Sequence, residues 1–368
     1  MSFVFASTRT RASIAAFAAA LLAGCAGAGS SRSSGLEDVP AMRQAHAGVF
    51  SFAPGAPVLQ TLDVPISQFP MAVGTLLTGI RGNLITGFMA NANGSDLGVV
   101  YDRNTGVWTP IKYPGSANTS VYGPAITSTG YRVVGSYQNS GQTNADGFVY
   151  DSTAKKYQTI DAPANLCAPK ACNFTIVHSN YGDATYQAVG NYDALKSGSS
   201  SGTSDTYPAS GHAFIYDSAT KKFSTLEFTG SASSTAYGIW VDGNTVAIAG
   251  GYTDKKGTHA YVRSLSGSKM LVYNWPKSIL THFEGITGAG GPGNYNVIGD
   301  YFDLKNKTLE YGFFLPIRKW TAGTATVIGP VSANSVFQRT VIGVYVGAGL
   351  TNGYITKIPK CTASPGAC

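Results

Sequence analysis

One short line recurs along this chain and limits what it can fold into. Val-Val-Gly135-Ser-Tyr137 returns as Ala-Val-Gly190-Asn-Tyr192, Ile-Ala-Gly250-Gly-Tyr252, Val-Ile-Gly299-Asp-Tyr301 and Val-Ile-Gly343-Val-Tyr345, with Ile85-Thr86-Gly87-Phe88 as a looser copy. A second line follows each: Gly98-Val-Val-Tyr-Asp102, Gly147-Phe-Val-Tyr-Asp151, His212-Ala-Phe-Ile-Tyr-Asp217, His259-Ala-Tyr-Val, Gly312-Phe-Phe-Leu and Gly353-Tyr-Ile-Thr. A third is Tyr157-Gln-Thr-Ile-Asp161, echoed after Val107 and Phe223, and a fourth is Tyr122-Gly123, echoed by Tyr237-Gly238 and by Glu284-Gly285. The first-line glycines stand 48, 55, 60, 49 and 44 residues apart. Each interval holds four short β-branched or aromatic runs separated by turn residues, which is the pattern of strands.

Repeats of this length with four strands each predict the blades of a β-propeller. A lone four-stranded sheet cannot bury both faces, whereas sheets stacked face to face around an axis bury them and leave few open edges. A glycine inside such a strand marks a bulge or lets the next sheet approach closely. The ends of the chain are incomplete copies. Gly48-Val-Phe-Ser-Phe52 and Thr61-Leu62-Asp63 match the second and third lines, while Val341 to Lys357 supplies a first and a second line and stops. Joined, the two ends make one blade, giving an all-β, six-bladed propeller closed by pairing of the N- and C-terminal strands. Seven blades is the alternative, since the second line occurs seven times when both ends are counted. Strand runs of about five residues fall short of the nine to eleven that an outer-membrane barrel needs.

The start of the chain carries an address. Arg9 and Arg11 precede an apolar run from Ala12 to Leu22, too short to cross ~30 Å of hydrocarbon, as in a secretory signal. The ending Leu22-Ala23-Gly24-Cys25 resembles the bacterial lipobox. That resemblance implies cleavage before Cys25, a diacylglycerol on its thiol and the membrane as a partner. It places the chain in the bacterial envelope, with the outer membrane expected because Ala26 follows the cysteine. Ala26 to Gln44 is rich in Gly, Ser and Ala and reads as a flexible tether. The expected organisation is a signal over 1–24, a tether over 25–45, the propeller over 46–360 and a short tail over 361–368.

The second line also resembles the repeat of bacterial extracellular HAF-repeat proteins. His212-Ala213-Phe214 matches fully and His259-Ala260-Tyr261 nearly so, and Tyr101-Asp102 with Trp108 resembles part of a kelch repeat. Both resemblances imply a propeller, and neither implies a fixed chemistry. The formal charge of +7 falls to +5 without Arg9 and Arg11 and is spread along the chain. With no Lys/Arg run, nothing in it fits a nucleic-acid partner.

Four cysteines remain beside Cys25. They form two close pairs, Cys167/Cys172 and Cys361/Cys368. Three connectivities are open, and export with sequence proximity favours the two local loops. No second Cys/His pair stands at zinc spacing, so neither a metal nor a cofactor is expected.

Asp102, Asp151 and Asp217 each precede a polar turn and are expected to cap its backbone N–H groups. His212 and His259 repeat at equivalent places and read as structural. His178 and His282 stand beside the fourth line and are candidate binding residues at the propeller axis. Tyr207, inside the Ser/Gly/Thr-rich insertion from Leu195 to Ser210, is a third. No phosphate loop, H-E-x-x-H or Ca²⁺ loop is present in the sequence, and no catalytic set can be named. The expectation is a monomeric, surface-tethered binding or adhesion protein with a carbohydrate or protein ligand. The alternative is a polysaccharide hydrolase or lyase. Hydrolysis needs two carboxyl groups ~5–10 Å apart near the axis. Asp63, Asp161, Asp242, Glu284 and Asp300 are available, and the sequence does not place them.

Overall fold

Each repeat folds into an antiparallel sheet in the computed structural model, which describes residues 49–142, 144–167, 172, 174–193, 211–305, 309–347 and 349–359. Among the described residues six such units follow one another. The first holds Ala72–Arg81, Leu84–Asn91, Asp96–Asp102 and Val107–Ile111. The second, third and fourth repeat this order, opening with Ser116–Ile126, Thr175–Gly182 and Ser233–Asp242. The fifth opens with Ser278–Gly288 and is tied to the fourth by a single parallel bridge, Thr258 to Leu280. The sixth holds Ser332–Phe337, Thr340–Gly347 and Leu350–Lys357, and Leu59–Thr61 from the start of the chain forms its fourth strand. This is the all-β, blade-by-blade arrangement of a β-propeller.

The first strand of each unit lies beside the first strand of the next, and Ser332–Phe337 lies beside Ala72–Arg81. Apolar side chains fill the space between sheets. Val189 and Ala213 of the third unit pack on Ala236, Ile239 and Ile248 of the fourth, and Leu77, Ile80 and Val99 of the first pack with Ile342 of the last. Each large apolar side chain so enclosed contributes about 1.5–3 kcal/mol. A threonine near the start of four first strands accepts the N–H of the segment arriving from the preceding strand: Thr75 from Val64, Thr119 from Tyr113, Thr175 from Ala162 and Thr281 from Trp275, at 2.9–3.1 Å.

The two glycine positions of the repeat have different jobs. A Cβ on Gly87, Gly135, Gly190, Gly250, Gly299 or Gly343 would meet a carbonyl oxygen of its own unit's first strand at well under 3.0 Å. A Cβ on Gly98, Gly147, Gly312 or Gly353 would press into the unit that follows, against Val121, Val177, Ala333 or Leu77, and on Gly98 and Gly147 also against the carbonyl oxygen of Ile111 or Ile160 in its own unit.

Two expectations need correction. First strands run to 11 residues, as in Ser116–Ile126, so strand length does not argue against a membrane barrel; the division into separate small sheets does. Gly48-Val-Phe-Ser-Phe52 does not take a second-line position either. Val49–Phe50 pairs only with Leu59–Thr61, because Leu350–Lys357 already fills the third place of that sheet.

Candidate functional site

Every first strand carries a β-bulge at the same level, and the bulge points a side chain at the other first strands. The register slips at Thr78, at Tyr122 with Gly123, at His178, at Tyr237, at Glu284 and at Asn334. Immediately before each slip the partner is a first-line glycine, from Gly87 through Gly343. The bulge pushes the strand's carbonyl toward the partner strand, where only glycine leaves room for it. The repeat thus encodes one bulged position in each of the six described units, and those six are drawn from five residue types.

These first strands enclose a narrow central cavity lined by residues of all six units, including Thr78, Arg81, His178, Tyr237 and Glu284. The His178 ring lies 5.0 Å from that of Tyr122 and 4.6 Å from that of Tyr237. His178 Nε2 is 2.9 Å from Asn191 Oδ1. Burial pushes the His178 pKa down to about 4, against the opposing hydrogen bond to Asn191, so the ring is neutral at neutral pH. Hydrogen bonds stitch one unit to the next: Thr78 Oγ1 donates to Val121 O, Asn180 Nδ2 to Gly123 O, and Asn334 Nδ2 to Leu77 O.

Arg81 reaches across the cavity from the first unit. Its guanidinium lies 4.9 Å from the Tyr181 ring centre and 4.7 Å from that of Trp240, and Nη2 donates to Ile239 O at 3.2 Å. Burial lowers its pKa to about 10, which leaves it a cation. Tyr181 and Trp240 approach to 5.6 Å, and Phe337 stands 6.4 Å from Trp240. Gly288 seats the tryptophan ring, since a Cβ there would collide with it, and Trp240 Nε1 donates to Asp242 Oδ1 at 3.1 Å. Arg81, Tyr181, Trp240 and Phe337 all keep exposed surface, so they form an aromatic and cationic rim.

A carboxylate cluster lies behind the cavity, between the fifth and sixth units. Glu284 Oε1 is 2.6 Å from His282 Nε2, which is 3.9 Å from Asp300 Oδ2. Asp300 Oδ1 accepts the Ala333 N–H at 2.9 Å and Oδ2 accepts the Ser332 hydroxyl at 3.1 Å. Glu310 completes the group: ligand atoms of His282, Asp300 and Glu310 all lie within 4.8 Å of one another. Burial holds all three carboxyls above their ordinary range, against the pull of His282 on Glu284, and repulsion from neighbouring carboxylates adds to it for Asp300 and for Glu310, which stands at about 8. Three acids face one imidazole here, so protons or a cation must offset their charge.

The structure therefore sorts the sequence candidates. His178 lines the cavity and His282 joins the cluster. Glu284 and Asp300 converge, while Asp63 accepts the Gly353 N–H, Asp242 holds Trp240 and Asp161 is exposed. Glu310 and Arg81 were not singled out by sequence. Glu310 becomes visible only through strand register, which sets Asp300 opposite Gly312, two residues along. His212 stacks on Tyr192, and His259 bonds Asn274 and Asp254. Asp102, Asp151 and Asp217 accept the N–H groups of Asn104, Thr153 and Thr220 at 2.9 Å, as turn caps. Cys167 and Cys172 are joined in a disulfide. Cys25, Tyr207, Cys361 and Cys368 lie outside the described residues.

No family model matches the chain, and no curated protein matches it. Among solved structures it is similar to a phage phi92 endosialidase, at 10% identity and TM-score 0.46, over 83% of this chain and 70% of that one. It is similar to an Aleuria aurantia lectin mutant in complex with alpha-methyl-L-fucoside, at 11% identity and TM-score 0.43, over 79% and 96%. It is also similar to an acylaminoacyl peptidase, at 11% identity and TM-score 0.39, where it spans only 48% of the other chain. Likeness this distant says nothing of what the chain binds.

Proposed function

We propose that the six units are the blades of one closed propeller, held to the bacterial envelope by lipid on Cys25, and that it binds carbohydrate at the aromatic rim of its axis. The observation that carries the binding role is the grouping of Tyr181, Trp240 and Phe337, all partly exposed, around Arg81. These residues come from four different units and meet at one end of the cavity. Ring faces and edges cover the apolar side of a sugar, and a guanidinium fork donates to its hydroxyl or carboxylate oxygens. Closure is supported by the neighbouring of first and last units and by the pairing of Leu59–Thr61 with Leu350–Lys357.

A hydrolase or lyase acting on polysaccharide is the second reading. It is favoured by Glu284, which lines the cavity with a carboxyl kept above its ordinary range, the state a general acid requires.

Glycan-array binding of the purified protein, set beside a hydrolysis screen on the same glycans, tests both. Trp240→Ala and Arg81→Ala are expected to weaken binding by roughly tenfold or more. Undiminished binding by both variants, or none by the wild type, refutes the rim. Product release abolished by Glu284→Gln establishes the second reading instead. Labelled palmitate is expected in the wild type and absent from Cys25→Ser.

A further inference from the structure

We propose that His282, Asp300 and Glu310 hold one divalent transition cation between the fifth and sixth units, with Glu284 paired to the histidine. Four observations converge on this. The first is the donor set, one imidazole nitrogen and two carboxylates with no sulfur, brought within 4.8 Å of one another from three adjacent strands. The second is spacing. Ligands at about 2.0–2.3 Å from a metal stand roughly 3–4.5 Å from one another, and His282 Nε2 to Asp300 Oδ2 is 3.9 Å.

The third is the charge gathered beside that donor set. Glu284 Oε1 pairs with His282 Nε2 at 2.6 Å, and its side chain is only 7% exposed. That pair sets the imidazole among three acids, which leaves more carboxylate charge than one histidine can offset. The fourth is Tyr354, fully buried, whose hydroxyl has no hydrogen-bond partner among the described residues. Its hydroxyl adjoins Gly343, the residue against which the Ser332 carbonyl also lies, and it feels the charges of Asp300 and Glu310.

The surroundings suit a bound ion. Both Asp300 oxygens are already oriented, one by the Ala333 amide and one by the Ser332 hydroxyl, which is how an outer shell fixes a ligand carboxylate. Glu284 opens onto the central cavity and Glu310 keeps some surface at its strand's start, so an ion has routes in. A mixed nitrogen and carboxylate set fits Mn²⁺ or Zn²⁺ better than Ca²⁺ or Mg²⁺, which prefer oxygen throughout. Closed away from bulk water, the cation offsets carboxylate charge that one imidazole leaves uncompensated.

The test does not involve any glycan, so it stands or falls apart from the rim. The full-length protein is stripped with chelator and titrated calorimetrically with MnCl₂, ZnCl₂, CaCl₂ and MgCl₂. Elemental analysis after gel filtration gives the stoichiometry. The expected result is one Mn²⁺ or Zn²⁺ per chain, a metal-dependent rise in Tm, and weak or no uptake of Ca²⁺ and Mg²⁺. Glu310→Gln and Asp300→Asn are each expected to lower affinity at least about tenfold. Glu310 sits half-buried at a strand start, so Glu310→Gln is the variant that keeps the metal-free fold, checked by an unchanged Tm without metal. Absence of stoichiometric ion in the wild type overturns the proposal, as does equal affinity in Glu310→Gln.

Discussion

Replacing Gly190 by alanine tests the bulge that organises this fold. The new methyl would lie more than 1 Å inside ordinary contact with the Ile176 carbonyl oxygen, contact that begins at 3.4 Å. Relief is blocked on both sides. The carbonyl belongs to the bulged first strand beside His178, and the Phe214 ring closes the other flank at 2.9 Å. Overpacking of this kind costs about 1–3 kcal/mol, and moving the strand to relieve it strains a ladder hydrogen bond worth about 1 kcal/mol more. The alanine lowers the entropy of the unfolded chain, which returns only about 0.4–1 kcal/mol. A net loss of about 2–3 kcal/mol follows. Gly312→Ala is the internal comparison. There the methyl meets the Ala333 methyl at 2.8 Å across a unit boundary that can adjust, and the repeat itself places Ala213 and Ala260 at the same position. Its cost should stay near or below about 1 kcal/mol. Urea unfolding followed by tryptophan fluorescence, with m unchanged, reads both. Equal midpoints for Gly190→Ala and wild type would refute the account, and so would equal losses for the two variants.

Three further outcomes are expected. Deleting Val49–Thr61 removes fully buried Leu59 and uncovers the edge of Leu350–Lys357, so Tm should fall steeply and the protein should self-associate, while deleting 26–43 changes neither; equal stability of the two truncations would rule out closure. His178, held at about 4 against 6.5 when unfolded, binds its proton more readily in the unfolded chain. Stability should therefore be complete above pH 6.5 and drop by about 3 kcal/mol as pH falls to 4, and His178→Gln should flatten that part of the wild-type profile in urea titrations at stepped pH. Mass mapping without reduction should find Cys167 linked to Cys172 and Cys361 to Cys368, and Cys167→Ala with Cys172→Ala should cost about 2 kcal/mol; a long-range link would contradict the pairing.

What could be read from the sequence was whatever repeats. The first-line glycines gave the number of strands per unit, the Asp102, Asp151 and Asp217 turns gave the hairpin ends, and the close cysteine pair gave its own loop. The incomplete ends pointed to shared pairing, although Gly48 to Phe52 mimicked a second line closely enough to be set at the wrong depth in the sheet. The site resisted reading for a physical reason. A bulge inserts one residue, and one residue reverses which face every later side chain takes. Whether Glu284 points inward while His282 faces Asp300 is decided by that single insertion. Glu310 and Arg81 depend on it too, one through cross-strand register and the other through reach across the cavity.

The same device ties stability to specialisation. Packing demands glycine opposite each bulge, and that position is nearly invariant from unit to unit. The bulged residue itself falls outside that constraint, and four of the six, Thr78, His178, Tyr237 and Glu284, line the shared cavity. Thr78, Tyr122, His178, Tyr237, Glu284 and Asn334 are accordingly free to differ while the frame around them stays fixed. A repeat that keeps its scaffold but varies its bulged residues concentrates chemical variety at one place. The polar side chains there must still find partners, and Thr78 and Asn334 do so across unit boundaries, through the Val121 and Leu77 carbonyls. The fifth unit is where that solution fails. Glu284 pairs with a histidine that two more acids also face, and carboxylate charge collects that one imidazole does not offset. A position where a repeating frame leaves charge unbalanced is where an outside ion or proton becomes part of the structure.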